Sequence, residues 1–327
     1  MSDDGIDGGG GGVMTTMVAI LGTMIAIVAG MVSIQNPASP DPGTKKRVGR
    51  YLPDPDLEPS KYAYEMYALC YSPIWMGAFG VIVAFGLYES FTAWTYNVVC
   101  VGLSLPYLLQ PVLIPSALFG SPDALRPLSD RYAAKANLWI AVYSFIGNYW
   151  YTHYFYSVLG AEYTMPSHRL NGVPVALYFA THFYFSAYHA FSNCCLRWVV
   201  TSYRPGGART ALYAAVVAAL SYFTAFMETL TISSFPYYSF EDRNMAYTVG
   251  SAFYGIYFLV SFPAFHAFDG DVDLDGGGGG SRPRRAVTMW DAFVSSCGHS
   301  MMILCLLDFV RLYLGMPLTV GGGTDLP

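Results

Sequence analysis

The chain predicts an all-α fold, a polytopic membrane helical bundle of about eight transmembrane helices, and three observations predict it. Of 327 residues, 54% are hydrophobic, 17% aromatic and only 12% charged, too few charges to cover a soluble surface of this size. Eight apolar runs are long enough to cross a hydrocarbon core of about 30 Å, which takes about 20 helical residues. The lysines and arginines, finally, fall almost entirely into alternate loops, the asymmetry that orients membrane helices.

The eight runs are Val13 to Ile34, Met66 to Leu87, Trp94 to Leu118, Ala136 to Val158, Pro174 to Leu196, Ala211 to Ser233, Tyr247 to Phe268 and Ala292 to Leu314. The first follows an acidic, glycine-rich head, MSDDGIDGGGGG, and precedes Lys45, Lys46 and Arg47. A cleaved signal peptide has a basic start and a shorter apolar run, so this pattern predicts a retained anchor. Pro106, Pro111 and Pro115 should kink or break the third run unless neighbouring helices satisfy the carbonyls they free. Residues 1–60 therefore read as an anchor span with a Pro/Gly-rich linker, 61–316 as the membrane bundle and 317–327 as a tail. The glycine runs at Gly8 to Gly12, Gly276 to Gly280 and Gly321 to Gly323 read as loop or tail.

One set of alternate loops holds Lys45, Lys46, Arg47, Arg50 and Lys61, then Arg126, Arg131 and Lys135, then Arg197, Arg204 and Arg209, then Arg282, Arg284 and Arg285. The opposite set holds Arg169 and Arg243, and Arg311 lies inside the last run. This split supports eight spans with both termini on the lumenal or external side.

Several functions are set aside. A net charge of -5 and the absence of a basic stripe argue against a nucleic-acid partner. No GxxxxGK or GxGxxG motif suggests a nucleotide, and no redox cofactor is indicated. The six cysteines lie in apolar runs without zinc-type spacing. The six histidines contain no i, i+3 or i, i+4 pair of the kind that grips a metal. His182 and His189 are seven residues apart, about 10 Å along a helix, too far to hold one ion together.

Ionisable groups at membrane depth remain, each a candidate site because each costs free energy in hydrocarbon. Glu228 stands in a polar stripe with Ser221, Thr224 and Thr231 at helical spacing; its plain alternative is a bond to a neighbouring helix. Asp308 and Arg311 share one helix face and form an easy ion pair. Beyond that structural pairing, Asp308 would serve as a base or hold a substrate hydroxyl. His153 has Tyr149 and Tyr156 on its own face, suited to relaying protons or simply to an interfacial aromatic belt. His182 shares a stripe with Tyr178, Ser186, His189 and Asn193, for which interior packing with hydrogen bonds is the simplest explanation. Glu89, His153, His182, Glu228, Asp308 and Arg311 fall in the lumenal half of their helices or just beyond, where different helices could bring them together.

The strings DRYAAKANLW, GNYWYTHYF, VLGAEYTMPS and THFYFSAYHAFSN, followed by METLTISSFPYYSFEDR, YFLVSFPAF and LDFVRLYLG, resemble the cycloeucalenol cycloisomerase family of plants and algae. The similarity runs from Glu65 to Leu314, whereas the first 60 residues and the glycine-rich loop from Asp269 to Arg285 depart from the family pattern. The resemblance implies a cofactor-free isomerisation in sterol biosynthesis, in the endoplasmic reticulum membrane, with a sterol substrate and membrane lipid as partners. A proton added at carbon 19 opens the 9β,19-cyclopropane ring, positive charge develops near carbon 9, and a proton leaves carbon 8. Such chemistry requires an acid, a cation-tolerant pocket and a base. The predicted assignments are an unpaired Glu228 as acid, and Asp308 or His153 as base unless one carboxylate performs both steps. Tyr149, Trp150, Tyr237 and Tyr238 are the predicted aromatic wall, with His182, His189 and Arg311 as further substrate contacts. Two other readings stay open, a sterol 8,9 to 7,8 double-bond isomerase and a non-enzymatic sterol-binding or transport protein.

Overall fold

A computed structural model of the chain describes residues 10–39, 48–114, 122–232, 235–241, 245–268 and 287–318. Its long helices are α1 (Gly10–Ser33), α2 (Pro59–Ala84), α3 (Ala93–Leu113), α4 (Tyr132–Ile146), α5 (Thr152–Leu159), α6 (Val175–Ser202), α7 (Gly207–Ile232), α8 (Ser251–Phe268) and α9 (Met289–Tyr313). α4 and α5 form one rod joined by a π-helical turn at Gly147–Tyr151, and a second π turn at Ala246–Gly250 leads into α8. The described residues thus contain eight long rods, one for each predicted span. Six of them are long and apolar enough to cross a membrane by length and composition. The α4–α5 rod and α6 are more polar because they supply much of the buried hydrogen bonding. The protein is a multi-pass membrane protein built as an all-α bundle.

Exposed apolar side chains such as Ile74, Val98, Phe191, Met301 and Phe309 cover the outside, where lipid replaces water as solvent. The interior is aromatic: Trp139, Tyr143, Tyr151, Phe258, Phe262 and Phe265 are fully or almost fully buried. Connections gather alternately at the two ends. At one end Ala38 N–H donates to the Ser202 carbonyl at 2.8 Å, Arg50 N–H to Thr201 Oγ1 at 2.9 Å and Ser60 Oγ to Asp123 at 2.7 Å. At the other, the two-residue strand β1 (Glu162–Tyr163) pairs antiparallel with β4 (Tyr238–Ser239), and β2 (Arg169–Leu170) with β3 (Val173–Pro174). The geometry therefore reproduces the loop alternation inferred from charge, although Lys45, Lys46, Arg47, Arg243, Arg282, Arg284 and Arg285 lie outside the described residues.

Several sequence expectations are corrected. α1 begins at Gly10, inside the glycine run predicted to be loop, and α3 ends at Leu113 rather than Leu118. Lys61, Lys135 and Arg197 lie on helices, not in loops, and are buried. α1 packs along α7, with Met17 against Tyr222 and Phe226. The segment after α1 docks on the end of α6, where Pro37 bridges to Tyr203.

α3 continues through Pro106 and Pro111, and side chains of neighbouring helices bond to its carbonyls, including the one that Pro111 frees. Pro111 cannot donate to the Tyr107 carbonyl four residues earlier. Asn137 Nδ2 donates to that carbonyl at 2.9 Å, and Tyr67 and Tyr71 hydroxyls donate to the Pro106 and Leu103 carbonyls, each at 2.9 Å.

On α2, Glu65 is fully buried and holds Arg197 of α6 by two charge-assisted bonds, 2.6 and 2.7 Å, while Asn193 donates to it at 3.0 Å. Such a pair costs much desolvation and survives only with complete partnering. Its partners are 132 residues apart, beyond any local spacing rule.

Candidate active site at the tyrosine-rim cavity

Between α5, α6, α7 and α8 lies a half-open cavity of about 80 Å³, smaller than typical small-molecule sites of about 300–1,000 Å³. Both π turns border it, through Gly147 and Asn148 on one side and Ala246 on the other. Single π turns insert one residue and re-aim the side chains beyond it, and they recur at functional sites. The β1–β4 pair borders it too, through Tyr163 and Tyr238, whose rings stack at 4.2 Å. Burial pushes the Tyr238 hydroxyl above the usual tyrosine range, so it stays protonated.

Gly160 permits this closure. Its φ of 56° is left-handed, and its carbonyl accepts from Glu241 N–H at 3.2 Å; a Cβ there would lie 2.6 Å from Glu241 Cβ. Nearby, the Asn171–Gly172 pair turns β2 into β3 with φ of 51° and 72°, the two positive values a tight hairpin requires. That dipeptide was the available sequence signal for the hairpin; strands of two residues have no periodicity to read.

Glu228 is the single carboxylic acid among the described residues lining the cavity. It is not unpaired, contrary to the sequence expectation. The Tyr254 hydroxyl donates to its carboxylate at 2.8 Å, and Tyr188 supplies a second phenol. Glu228 stands on α7, Tyr254 on α8 and Tyr188 on α6, so the interaction ties three helices at the cavity wall. The remaining wall is aromatic and apolar, with Phe155, Phe185, Phe240 and Tyr257 prominent. A carboxylic acid that gives up its proton here leaves a carboxylate held by the preoriented Tyr254 donor with the Tyr188 phenol close by, and the surrounding ring faces favour positive charge.

Of the predicted site residues, Glu228 and Tyr238 line the cavity, and the others do not. Asp308 is paired with Arg311 at 2.6 Å and meets Tyr154 of α5; Arg311 also donates to the Met316 carbonyl at 2.8 Å. His153 is buried beneath the β2–β3 hairpin, beside Asn171 and edge-on to Tyr156. These groups do not share a surface.

His182 Nε2 donates to Asn137 Oδ1 at 3.0 Å, orienting the amide that repairs the Pro111 break. His189 Nδ1 donates to the Phe185 carbonyl at 2.7 Å and its Nε2 accepts from Ser261 at 3.0 Å, linking α6 to α8. Tyr149 stacks on Phe145, Trp150 is 42% exposed on the outer face, and Tyr237 packs edge-on against Tyr88 and Phe235. Tyr254, Tyr188, Tyr163 and Tyr257 were not singled out from sequence. In a chain with 27 tyrosines, their common approach to Glu228 depends on helix rotation.

The chain is similar to cycloeucalenol cycloisomerase of Arabidopsis thaliana, with 40% identity over 271 residues, covering 80% of this chain and 90% of that protein. No family model matches the chain, and no solved structure matches it.

Proposed function

The chain belongs to the cycloeucalenol cycloisomerase family, and on that premise we propose that it opens the 9β,19-cyclopropane ring of cycloeucalenol to give obtusifoliol, with Glu228 as the acid. The observation that carries the catalytic reading is the Glu228 carboxyl, braced by Tyr254 and Tyr188 on the wall of an aromatic cavity.

The Glu228 proton passes to carbon 19 as the bond between carbons 9 and 19 breaks, and the bonding pair becomes the new methyl C–H bond. Positive charge then resides at carbon 9. The hydrogen bond from Tyr254 grows stronger as Glu228 becomes a carboxylate, so it stabilises the transition state more than the starting complex. Aromatic faces of Phe155, Phe185 and Phe240 offset the developing cation, each desolvated contact contributing about 2 kcal/mol, and apolar walls keep out water that would trap it. The carboxylate next removes the proton on carbon 8, whose C–H pair becomes the 8,9 double bond. Asp308 and His153 line other surfaces, so in this reading one carboxylate gives and takes the proton. The substrate is a membrane-dissolved sterol, and the working location is the endoplasmic reticulum membrane.

Membranes containing the protein, incubated with cycloeucalenol in deuterated water, should yield obtusifoliol labelled in its new methyl group as Glu228 exchanges with solvent between turnovers. Mass spectrometry reads the label. Folded, sterol-binding protein that leaves cycloeucalenol unchanged would overturn the proposed reaction.

A further inference from the structure

The cavity beside Glu228 has the volume of a few water molecules. Its 80 Å³ or so correspond to about two or three, at about 30 Å³ of liquid each. It is half-open and lies where helices give way to loops: Leu159 is the last residue of α5, Glu228 stands near the end of α7, and the β1–β4 pair forms one border. Glu228 is part-buried, and the Tyr254 hydroxyl occupies only its Oε2 oxygen.

Unpartnered hydroxyls on Tyr143, Ser144 and Tyr257 are sealed within the protein and offer this space nothing. Asn148 differs. It belongs to the π turn between α4 and α5, is 4% exposed and lines the cavity. Both hydrogens of its amide are committed, Nδ2 donating to Thr181 Oγ1 at 2.7 Å and to the Ser144 carbonyl at 2.8 Å. Thr181 spends its own hydrogen on the Leu177 carbonyl at 2.9 Å, so the amide has one orientation and its oxygen is fixed. That oxygen accepts no hydrogen bond from the described residues and, unlike the three sealed hydroxyls, keeps accessible surface. In a side chain otherwise enclosed by protein, the surface it keeps is the part that borders the cavity. Thr229 borders the same space with its hydrogen turned to the Ala225 carbonyl at 2.9 Å and its lone pairs left to accept. Asn148, Thr229 and Glu228 together supply the two to four polar partners that an ordered water requires.

We propose that Asn148 Oδ1 holds a water against Glu228, and that this water is the route by which the carboxyl exchanges its proton with the aqueous side between turnovers. This rests on the cycloisomerase reading. The water donates one hydrogen to Asn148; as the carboxylic acid passes its proton to the water oxygen, the other hydrogen of the water goes to the carboxyl, so the proton is replaced and no charge is left behind. A sterol that reaches Glu228 displaces the water, which confines exchange to the interval between substrates. Asn148 is thereby a positioning residue.

In the proposed reaction one carboxylate gives a proton to carbon 19 and takes one from carbon 8, so each turnover leaves Glu228 carrying hydrogen from the sterol just released. Exchange decides whether the next sterol receives that hydrogen or one from solvent. The test turns full-length wild type and Asn148→Leu over many times in membranes, on saturating cycloeucalenol in deuterated water, with mass spectrometry of the obtusifoliol. Wild type should place a deuteron in the new methyl group of nearly every molecule. In Asn148→Leu an apolar side chain replaces the acceptor. Once exchange is slower than turnover, about 1–10³ s⁻¹ in ordinary enzymes, the label should fall by about half or more, because hydrogen from carbon 8 of one sterol passes to carbon 19 of the next. A single turnover after long equilibration in deuterated water should be labelled in both proteins. Label is read per product molecule and so does not depend on how much of the variant folds.

Undiminished label in the variant overturns the proposal, and so does wild type that stays unlabelled over many turnovers. Infrared spectroscopy of the sterol-free protein reads the same exchange without catalysis. The carboxylic C=O band that Glu228→Gln abolishes should shift on transfer to deuterated water, and more slowly in Asn148→Leu; equal rates, or no such band in wild type, overturn the water site. Were wild type inactive on cycloeucalenol, the reaction reading would fail separately and the infrared measurement would still decide the role of Asn148.

Discussion

Tyr254 on α8 donates a 2.8 Å hydrogen bond to the Glu228 carboxylate on α7, at a point where the two helices pack together and both residues face the same cavity. The bond couples the proposed proton donor to the helix–helix interface that positions it. Its strength should therefore be visible in rate more than in stability.

Glu228→Gln keeps the size and hydrogen-bonding capacity of the side chain but removes the transferable proton. Turnover of cycloeucalenol should fall about 10²- to 10⁴-fold, the usual contribution of a positioned acid, with the unfolding temperature close to wild type. Single-turnover sterol analysis on detergent-purified protein checks this. Wild-type-like turnover would remove Glu228 from the mechanism.

Tyr254→Phe deletes one donor to the carboxylate that forms during proton transfer. Bonds to charged groups contribute about 1.5–3 kcal/mol, so kcat should fall about 10- to 100-fold with little change in KM. A rise in KM at constant kcat would assign Tyr254 to substrate binding instead.

Glu65 and Arg197 lie on helices α2 and α6 near the opposite end of the bundle. Arg197→Met leaves a buried carboxylate without its main partner and should cost about 3–5 kcal/mol of stability, whereas the double variant with Glu65→Leu should recover most of it. Thermal unfolding in detergent measures the cycle. Additive losses in the double variant would show that the pair is not coupled.

Asn137→Leu exposes the Tyr107 carbonyl that Pro111 leaves without a backbone donor. A loss of about 1–3 kcal/mol is expected. In a Pro111→Ala background the backbone N–H returns, and part of that loss should disappear. His182 still loses its acceptor on Asn137, so recovery will be incomplete. Equal losses in both backgrounds would disconnect Asn137 from the proline.

Gly160→Val introduces a β-branched residue at a left-handed φ of 56° and a contact with Glu241. The β1–β4 closure should loosen, seen as faster amide hydrogen exchange at residues 160–163 and 237–241, with reduced turnover and an intact helical core. Unchanged exchange would mean that the glycine is not needed to hold the strand pair.

The sequence by itself determined the bundle, the number of rods, the alternation of their ends and the family, because hydrophobic length and the placement of Lys and Arg are summed over many residues. It also singled out Glu228, since one carboxyl in a long apolar run is conspicuous without any neighbour. Depth along each helix was therefore legible, and it placed Glu228, His153 and Asp308 in the same half of their helices. Tertiary structure decided which of them share a surface. A helix turns by about 100° per residue, so small differences in rotation and packing send His153 beneath a hairpin, Asp308 to Arg311 and Glu228 to the tyrosines. The same limit hid the pairing of Glu65 with Arg197, the link from His182 through Asn137 to Pro111, and the orphan hydroxyl of Tyr257. Each depends on partners distant in sequence, and hydropathy carries no information about which face of one helix meets which face of another.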